Sequence, residues 1–264
     1  MEQSIAGIIL AAGKGTRMRS QIPKVLHKIK DLTLLEWVIL SLKDAAIQDL
    51  AIVLGGDIGA FKEITERHSG TRVCIQKKRK GTGDAVASAA AAFNISCEIP
   101  YTESELIRGK KISSEYCLIC AGDTPLVPSS IIKDFIQTTV AESAPLSLIG
   151  MTNPNPEGYG RLVTKRNKLI KIVEEKDADE ETKKIQLCNS GVILAKTSLL
   201  FKLLAEIRPN NKQEEYYLTD CFEIAQKQGI EIKVFETEQF EVFQGINTKE
   251  QLNIARKWME KNQT

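Results

Sequence analysis

Residues 5–18 read IAGIILAAGKGTRM, an apolar run that passes directly into a glycine-rich turn. The run Ile5 to Leu10 is typical of a buried strand, and residues 11–18 place small residues and cations just after it. In open α/β sheets, ligands bind at the carboxyl ends of the strands. Backbone N–H groups of this turn can therefore face phosphate oxygens, and the stretch predicts an α/β sheet with a ligand site at its first turn.

The glycine turn matches neither of two common phosphate-binding motifs. It is not a Walker A loop, because Lys14 lacks the required preceding glycine and is followed by Gly15 rather than Ser or Thr. It is also a poor dinucleotide fingerprint, because Gly13 and Gly15 are followed by Arg17 and Met18 rather than by a third glycine.

Three cations lie in and after the turn. Pro23 constrains the backbone before Lys24, so that Lys14, Arg17 and Lys24 can converge on one polyphosphate. Such a cluster suits pyrophosphate as a leaving group. Taken alone, the motif is equally compatible with a plain structural turn, so the rest of the chain has to decide.

Working outward, apolar runs alternate with helical patterns through the first half of the chain. Strands are predicted at 50–54, 71–76 and 116–121, and helices at 34–42, 61–67, 82–93 and 129–141. This alternation predicts a mostly parallel sheet with helices on both faces. The second half is mixed: a strand at 146–151, a hairpin of 159–163 and 169–174 around the turn 164–168, strands at 188–195 and 232–235, helices near 198–205 and 217–228, and a last helix from Thr248. Segments 94–114 and 177–184 are predicted surface excursions.

Composition limits the classes of function. The 264 residues are 42% hydrophobic, enough for a sizeable core in one large domain or two small ones. The net charge of +2 predicts no general attraction to nucleic acid or anionic membranes. There is no apolar run of membrane-spanning length, and the first residues do not resemble a signal peptide, so we expect a cytoplasmic protein without nucleic-acid or membrane partners.

Cysteine and histidine chemistry is not expected here. The six cysteines are Cys74, Cys97, Cys117, Cys120, Cys188 and Cys221. They are scattered through strand-like surroundings and are interpreted as reduced thiols. Cys117 and Cys120 form a CxxC, but their spacing places them on opposite faces of a strand. His27 and His68 stand alone, which argues against a zinc cluster or a histidine-based triad.

A set of motifs resembles a known family. In chain order these are residues 10–18 with Pro23-Lys24, Gln76, 81–83, 122–126, 159–161, 172–177, 189–191, 215–220 and 245–247. Together they resemble the sugar-nucleotide pyrophosphorylases, and most specifically the uridylyltransferase domain of the bifunctional bacterial N-acetylglucosamine-1-phosphate uridyltransferases of cell-wall precursor synthesis. The resemblance spans nearly the whole chain.

The resemblance implies a fold, a reaction and a cofactor. The fold is a Rossmann-like, glycosyltransferase-A-like nucleotidyltransferase with a mostly parallel mixed sheet and a smaller antiparallel sugar-binding region. The reaction is transfer of UMP from UTP to N-acetylglucosamine 1-phosphate with release of pyrophosphate, dependent on Mg²⁺. The implied domain covers residues 1–247, with a C-terminal helix at 248–264.

The resemblance also assigns roles to individual residues. It implies Lys24 and Arg17 as catalytic residues and Asp123 and Asn247 as ligands of Mg²⁺. It implies that the nucleotide is bound by Leu10, Ala11, Ala12, Gly13, Gly15, Gln76, Gly81, Thr82, Ala121 and Gly122. The sugar would be bound by Gly160, Glu174 and Asn189, with Tyr217 and Thr219 as further candidates.

Each of these positions also has a purely structural interpretation. Asp123 and Asn247 could be turn residues, with Asn247 preceding a capping box at Thr248-x-x-Gln251. Gln76 could be a solvated strand end, and Glu174 an edge-strand charge. Residues 216–220 could serve aromatic packing and helix capping.

The chain departs from the family pattern at several points. The run Lys77-Lys78-Arg79-Lys80 replaces mostly neutral residues, Asp84 replaces a common histidine, segment 94–114 is longer than usual, and Ala121 stands at a variable position. The basic run is interpreted as solvated turn surface, with attraction of phosphorylated substrates as a hypothesis. The sequence contains no hexapeptide repeats of the kind that form the family's acetyltransferase domain, and the oligomeric state is undetermined.

Alternative functions remain open on the sequence. The nearest are another sugar-1-phosphate uridylyltransferase and a cytidylyl- or guanylyltransferase on the same scaffold. A non-catalytic nucleotide-binding regulator is an alternative of a different class, and a Rossmann oxidoreductase a weaker one.

Overall fold

The structure is a computed structural model that describes residues 3–56, 58–95, 98–103 and 105–262. Cys97 and the last two residues of the predicted C-terminal helix lie outside these ranges. Within them, no helix has both the length and the apolar character needed to cross a membrane.

Twelve strands and eight α-helices are seen in the described residues. The strands are β1 Ile5–Ala11, β2 Lys28–Ile29, β3 Leu32–Thr33, β4 Asp49–Leu54, β5 Arg72–Ile75, β6 Leu106–Arg108, β7 Tyr116–Ala121, β8 Leu146–Thr152, β9 Arg161–Lys165, β10 Lys168–Val173, β11 Leu187–Lys196 and β12 Ile232–Thr237. The helices are α1 Leu34–Asp44, α2 Lys62–Arg67, α3 Thr82–Ser88, α4 Ser129–Ala141, α5 Glu180–Lys183, α6 Thr197–Glu206, α7 Asp220–Lys227 and α8 Lys249–Asn262.

Ten of these strands form one mixed sheet. Its central strands β7, β1, β4 and β5 are parallel neighbours in that order. β11 joins β7 antiparallel and also pairs with β8 and β9, while the hairpin β9–β10 extends that edge. β6 closes the other edge and β12 lies parallel to β8. The predicted α/β class, with a parallel centre and an antiparallel region around the hairpin, is confirmed.

The strands bury side chains on both faces of the sheet, as a parallel sheet between helices must. In β1, Ile9 and Ala11 contribute to one core and Ala6 and Ile8 to the other. Helices α1, α4 and α8 pack into the first core, and α3, α6 and α7 into the second. The apolar side of α8, with Leu252, Ala255 and Met259, therefore packs on the domain itself.

Cysteines follow the same alternation. Cys120 belongs to the first core and Cys117 to the second, which confirms that the CxxC points to opposite faces. The five cysteines of the described ranges are buried and unpaired, and burial raises the pKa of the Cys117 and Cys120 thiols to about 12. Both are therefore inert packing residues.

Two helices differ from the predicted bounds. The pattern at 82–93 forms α3 only to Ser88 and then tightens into a 3₁₀ turn at Ala89–Ala92. At that point the Ser88 hydroxyl donates to the Asp84 carbonyl at 2.8 Å, a back-bond that bends helices. α7 starts at Asp220 rather than at 217, because the carbonyls of Tyr217 and Leu218 accept N–H groups three residues ahead, from Asp220 and Cys221, and so form turns rather than α-helix.

The prediction of a surface excursion is wrong for much of segment 94–114. Ile99 and Ile112 are buried, and β6 adds a strand to the sheet. The side chains of Ile99 and Ile112 belong to the second core. The sequence did not show this, because the segment has no hydrophobic periodicity. The prediction holds for 177–184, where α5 is exposed and capped by the Asp179 carboxylate.

Candidate active site

A cleft of about 900 Å³ lies at the carboxyl ends of β1, β4, β5 and β7. Its lining includes the predicted nucleotide residues Leu10, Ala11, Ala12, Gly13, Gln76, Gly81, Thr82 and Ala121, together with Lys14, Lys24 and Asp123. Gly122 follows at the end of β7, and its N–H is bonded to the Leu10 carbonyl at 2.9 Å. A cavity of about 840 Å³ elsewhere, lined by residues 165–170, 226 and 229–233, holds none of the predicted residues in its described lining. The first cleft is therefore the candidate site.

The glycine turn brings Lys24 against the end of β1. Gly15 has a φ of 60°, in the left-handed region that favours glycine. A Cβ at Gly15 would lie 2.5 Å from the Cβ of Lys24, so a larger residue would displace that lysine. After Gly15 the chain makes a 3₁₀ turn at Thr16–Met18 that buries Met18. The glycine is thus required both by the turn and by the close approach of Lys24.

Four predicted residues meet beside this turn. The Lys24 ammonium forms an ion pair with Asp123 Oδ2 and donates to Asn247 Oδ1 at 2.8 Å. Arg17 donates to the same Asn247 oxygen at 3.1 Å. The side chains of Lys24 and Asp123 are only 13% and 14% exposed, so water screens the pair weakly. Of the three cations expected to converge, Lys24 and Arg17 share a partner, and Lys14 lines the same cleft as Lys24.

Asn247 is held from both sides. Ile246 donates its N–H to the Asp123 carbonyl at 2.9 Å, which ties the two motifs together. The predicted capping box is present: Gln251 N–H donates to Thr248 Oγ1 at 3.2 Å, and its side chain accepts from the N–H groups of Thr248 and Asn247. The amide nitrogen of Asn247 donates to the Gly245 carbonyl, so its oxygen faces the cations.

The donor set at this corner suits a hard divalent cation. Asp123 and Asn247 each turn one oxygen toward the Lys24 ammonium, which shows that both converge on a single positive charge. Among the described residues, no group of three or more His, Cys, Asp or Glu could hold a metal. Mg²⁺ commonly takes few protein ligands beside substrate phosphates and waters, and one carboxylate with one amide oxygen fits that pattern.

Gln76 is oriented by a residue that the sequence interpretation treated only as a departure. Gln76 is buried, and its amide nitrogen donates to the Gly81 carbonyl at 3.0 Å and to Asp84 Oδ2 at 2.9 Å. Asp84 also accepts the Lys80 N–H. Both amide hydrogens are therefore used, and Gln76 offers its oxygen rather than a donor and an acceptor. Asp84 is recognised as the residue that orients Gln76 only because the structure buries it in the first turn of α3.

The nucleotide and sugar residues are joined through segment 216–219. Gly83 donates its N–H to the Tyr216 carbonyl at 2.7 Å, and Thr82 Oγ1 accepts the Leu218 N–H at 3.0 Å. Gly81 has a φ of 109°, and a Cβ there would lie 2.6 Å from the Tyr216 oxygen. Segment 216–219 therefore contacts Thr82 and Gly83 through its backbone, and Glu174 through the Thr219 hydroxyl.

Most of the predicted sugar residues lie together. Thr219 donates its hydroxyl to Glu174 at 2.9 Å, and a Cβ on Gly160 would lie 3.3 Å from the other Glu174 oxygen. Asn189 donates its N–H to the Gly160 carbonyl, while its side chain accepts from the Gly191 N–H. Tyr217 is buried, with its hydroxyl bonded to Gln213. Glu174 thus lies beside the bare backbone at Gly160.

Two acidic residues with raised pKa values, Glu174 and Asp220, lie in this region. Burial raises the pKa of Glu174, partly offset by the Thr219 hydroxyl. Burial, with the nearby carboxylates of Glu223 and Glu174, raises the pKa of Asp220 to about 6. Asp220 was interpreted only as a helix cap, since a raised pKa depends on burial that no local pattern shows.

The basic run is not simply solvated surface. Lys77 pairs with Glu105 at 3.0 Å and Lys78 with Glu103 at 2.6 Å, while Arg79 donates to the Gly55 carbonyl in the cleft. Acidic residues of segment 94–114 compensate much of its charge, because the sheet places β6 next to β5.

Comparison with known proteins places this geometry in a family. Residues 7–183 match the model of the MobA-like NTP transferase domain. The chain is 39% identical over 249 residues to the bifunctional protein GlmU of Bartonella bacilliformis, covering 94% of this chain and 51% of that protein. It is 36% identical over 248 residues to the GlmU of Clostridium botulinum, covering 94% and 50%. The chain therefore spans about half the length of these relatives.

Solved structures show the same fold at low identity. A UDP-glucose pyrophosphorylase complexed with UDP-glucose superimposes with a TM-score of 0.74 and 17% identity, covering 98% of this chain and 99% of that one. The inositol-1-phosphate CTP transferase from T. maritima superimposes with a TM-score of 0.66 and 18% identity, covering 98% and 97%. With the matched family model covering more than half of its residues, the chain belongs to the family of MobA-like NTP transferase domains.

Proposed function

We propose that the protein transfers UMP from UTP to N-acetylglucosamine 1-phosphate, forming UDP-N-acetylglucosamine and pyrophosphate. The observation that carries the proposal is the meeting of Arg17, Lys24, Asp123 and Asn247 beside the glycine turn. Membership of the NTP transferase family and the similarity to GlmU proteins support a sugar-1-phosphate substrate. A regulator that only bound nucleotides is the alternative that the activity test below distinguishes.

The reaction needs charge and positioning more than acid–base chemistry. The sugar phosphate is already an anion, and one of its oxygens attacks the α-phosphorus of UTP in line with the departing pyrophosphate. Lys24 would leave its ion pair to neutralise charge on the α-phosphate, and Arg17 with the glycine turn would hold the pyrophosphate. Mg²⁺ held by Asp123 and Asn247 would supply further neutralisation of the phosphates.

Base selection follows from Gln76. Because its amide hydrogens are used by Gly81 and Asp84, its oxygen is the group that it can offer. An acceptor that faces ring position 3 pairs with the N3–H of uracil and not with N3 of cytosine, which is itself an acceptor; facing position 4, it would instead pair with the amino group of cytosine. The proposal takes Gln76 to face position 3. This favours a uridine nucleotide over a cytidine nucleotide.

The sugar would lie beside Glu174, whose carboxylate can accept hydroxyl groups, over the bare backbone at Gly160. A side chain at Gly160 would press on both Ile172 and Glu174, since its Cβ would lie 3.0 Å from Ile172 and 3.3 Å from a Glu174 oxygen. N-acetylglucosamine as the particular sugar rests on the resemblance to the uridyltransferase family and on the GlmU relatives.

The test is pyrophosphate release with a panel of nucleoside triphosphates and sugar 1-phosphates, with and without Mg²⁺. The proposal expects release with UTP and N-acetylglucosamine 1-phosphate only when Mg²⁺ is present. Faster release with another sugar phosphate or with CTP would replace the substrate assignment. Nucleotide binding without release for any pair would support a regulator instead.

A further inference from the structure

A segment outside the family motifs contacts the loop that would bind the nucleotide. We call residues 98–103 with Glu105 the brace, and residues 77–82 the nucleotide loop. Lys77 Nζ lies 3.0 Å from Glu105 and Lys78 Nζ lies 2.6 Å from Glu103. The pairing lowers the pKa of Glu103 and raises that of Lys78. The brace thus holds the first two cations of the loop.

A second attachment runs through aromatic rings. Tyr101 stacks on Tyr216, with ring centroids 3.8 Å apart and ring planes 14° from parallel. The Tyr101 hydroxyl donates to the Leu204 carbonyl of α6 at 2.7 Å, and Thr102 lies within hydrogen-bond distance of Ser88 at the end of α3. Tyr101 is therefore anchored to α6, and its neighbour Thr102 to the end of α3.

Tyr216 passes this anchoring to the nucleotide loop. Its N–H donates to the Lys80 carbonyl and its carbonyl accepts the Gly83 N–H, both at 2.7 Å. A Cβ on Gly83 would lie 2.8 Å from the Tyr216 oxygen, so the backbone segments at Gly83 and Tyr216 are in close contact. A shift of Tyr216 would therefore move the backbone of Gly81 and Thr82.

The loop needs such support because its conformation is strained. Arg79 has a φ of 46° and directs its guanidinium to the Gly55 carbonyl inside the cleft. A non-glycine residue in the left-handed region persists only where neighbouring contacts enforce it. The brace and Tyr216 supply those contacts at both ends of the loop.

We propose that the brace is a positioning element, in which Tyr101 and Glu103 hold the nucleotide loop in its binding conformation and so set the affinity for a nucleoside triphosphate. Neither residue lines the cleft in the described structure. The inference rests on the proposed function, since it takes UTP as the ligand of the loop.

The aromatic attachment is tested by titrating UTP with Mg²⁺ in a calorimeter and by measuring pyrophosphate release. Tyr101→Ala should raise the Kd and the KM for UTP about three- to tenfold while kcat changes little. Tyr101→Phe keeps the ring and should bind UTP nearly as the intact protein does. A Tyr101→Ala variant with unchanged Kd overturns the proposal.

The ion pair of Glu103 with Lys78 gives a second test, which does not alter the core. The direction of the change in Kd distinguishes a positioning role from long-range attraction. Glu103→Lys adds positive charge near a site for a polyanion, so long-range attraction alone would tighten UTP binding. A positioning role predicts the reverse, with Kd raised about two- to fourfold and restored when Lys78→Glu is added. Glu142→Lys, which breaks the comparable pair with Lys233 at 3.1 Å, is the matched control and should leave Kd unchanged.

These results separate the two proposals. If the unaltered protein binds no nucleoside triphosphate, the proposed function fails and the brace with it. If the unaltered protein binds UTP and Glu103→Lys binds it equally or more tightly, only the brace is rejected.

Discussion

The Lys24 ammonium lies 2.8 Å from the side-chain oxygen of Asn247, although 223 residues separate them in the chain. Lys24 follows β1 and Asn247 precedes α8, so the contact exists only because α8 packs back on the first core of the sheet. It links the glycine turn to Asp123, which the Lys24 ammonium also contacts.

Replacing Lys24 should remove turnover without unfolding the protein. Its ammonium is the only charge that the described structure pairs with Asp123, and loss of a cation acting on the transferred phosphate costs on the order of 10³ in kcat. Lys24→Ala is measured by pyrophosphate release, with the melting temperature as a check on folding. Lys133→Ala, an exposed lysine of α4, is the control. A rate near that of the unaltered protein would contradict the assignment of Lys24 as a catalytic residue.

Asp123→Asn should weaken metal binding itself, because it replaces a charged oxygen ligand by a neutral one. We expect Mn²⁺ binding in the presence of UTP, followed by magnetic resonance, to weaken by at least about tenfold. Asp134→Asn, on the exposed face of α4, should bind Mn²⁺ normally. Equal Mn²⁺ affinity in the two variants would exclude Asp123 as a ligand.

Glu175 should stabilise the fold through Arg161. Arg161 is 2% exposed in its side chain and pairs with Glu175 at 2.7 Å. Removing one partner leaves a buried charge uncompensated, so Glu175→Ala should lower the free energy of unfolding by about 3 kcal/mol. The control Glu181→Ala breaks an exposed pair with Lys184 and should cost less than about 1 kcal/mol. Urea denaturation measures both, and similar losses would show that burial of Arg161 does not matter.

Asp220 should make stability fall as the pH rises. Its pKa is about 6 in the folded protein against an ordinary 3.8, so the folded state binds the proton more tightly. The stabilising contribution is complete below about pH 4 and is lost as the pH passes through about 6. Asp220→Asn cannot titrate, so its advantage in free energy of unfolding should grow over this range, by about 1–2 kcal/mol after allowance for partial solvent exposure.

The matched control for this pH series is Asp134→Asn, the same substitution at an exposed position of α4. Urea denaturation at several pH values between about 4 and about 7 gives both differences. A flat difference for Asp220→Asn would mean that Asp220 titrates normally.

Much of the architecture follows from local sequence. Alternating apolar runs and helical patterns predicted the parallel centre of the sheet, because strand and helix periodicities are properties of short segments. The hairpin around 164–168 and the capping box at Thr248 were predicted for the same reason. The glycine turn at 13–15 was predicted to be a ligand site from its place after a strand.

Other features were decided only by the tertiary structure. Local patterns describe single segments, whereas strand order determines which loops meet at the carboxyl edge of a sheet. That order brought Asn247 to Lys24, Asp84 to Gln76, and Glu103 to Lys78. Segment 94–114 was misread as surface because its buried residues have no period of their own. The sequence by itself therefore determined the elements and the chemical types at the site, while packing across the sheet decided which donors remain available for a ligand.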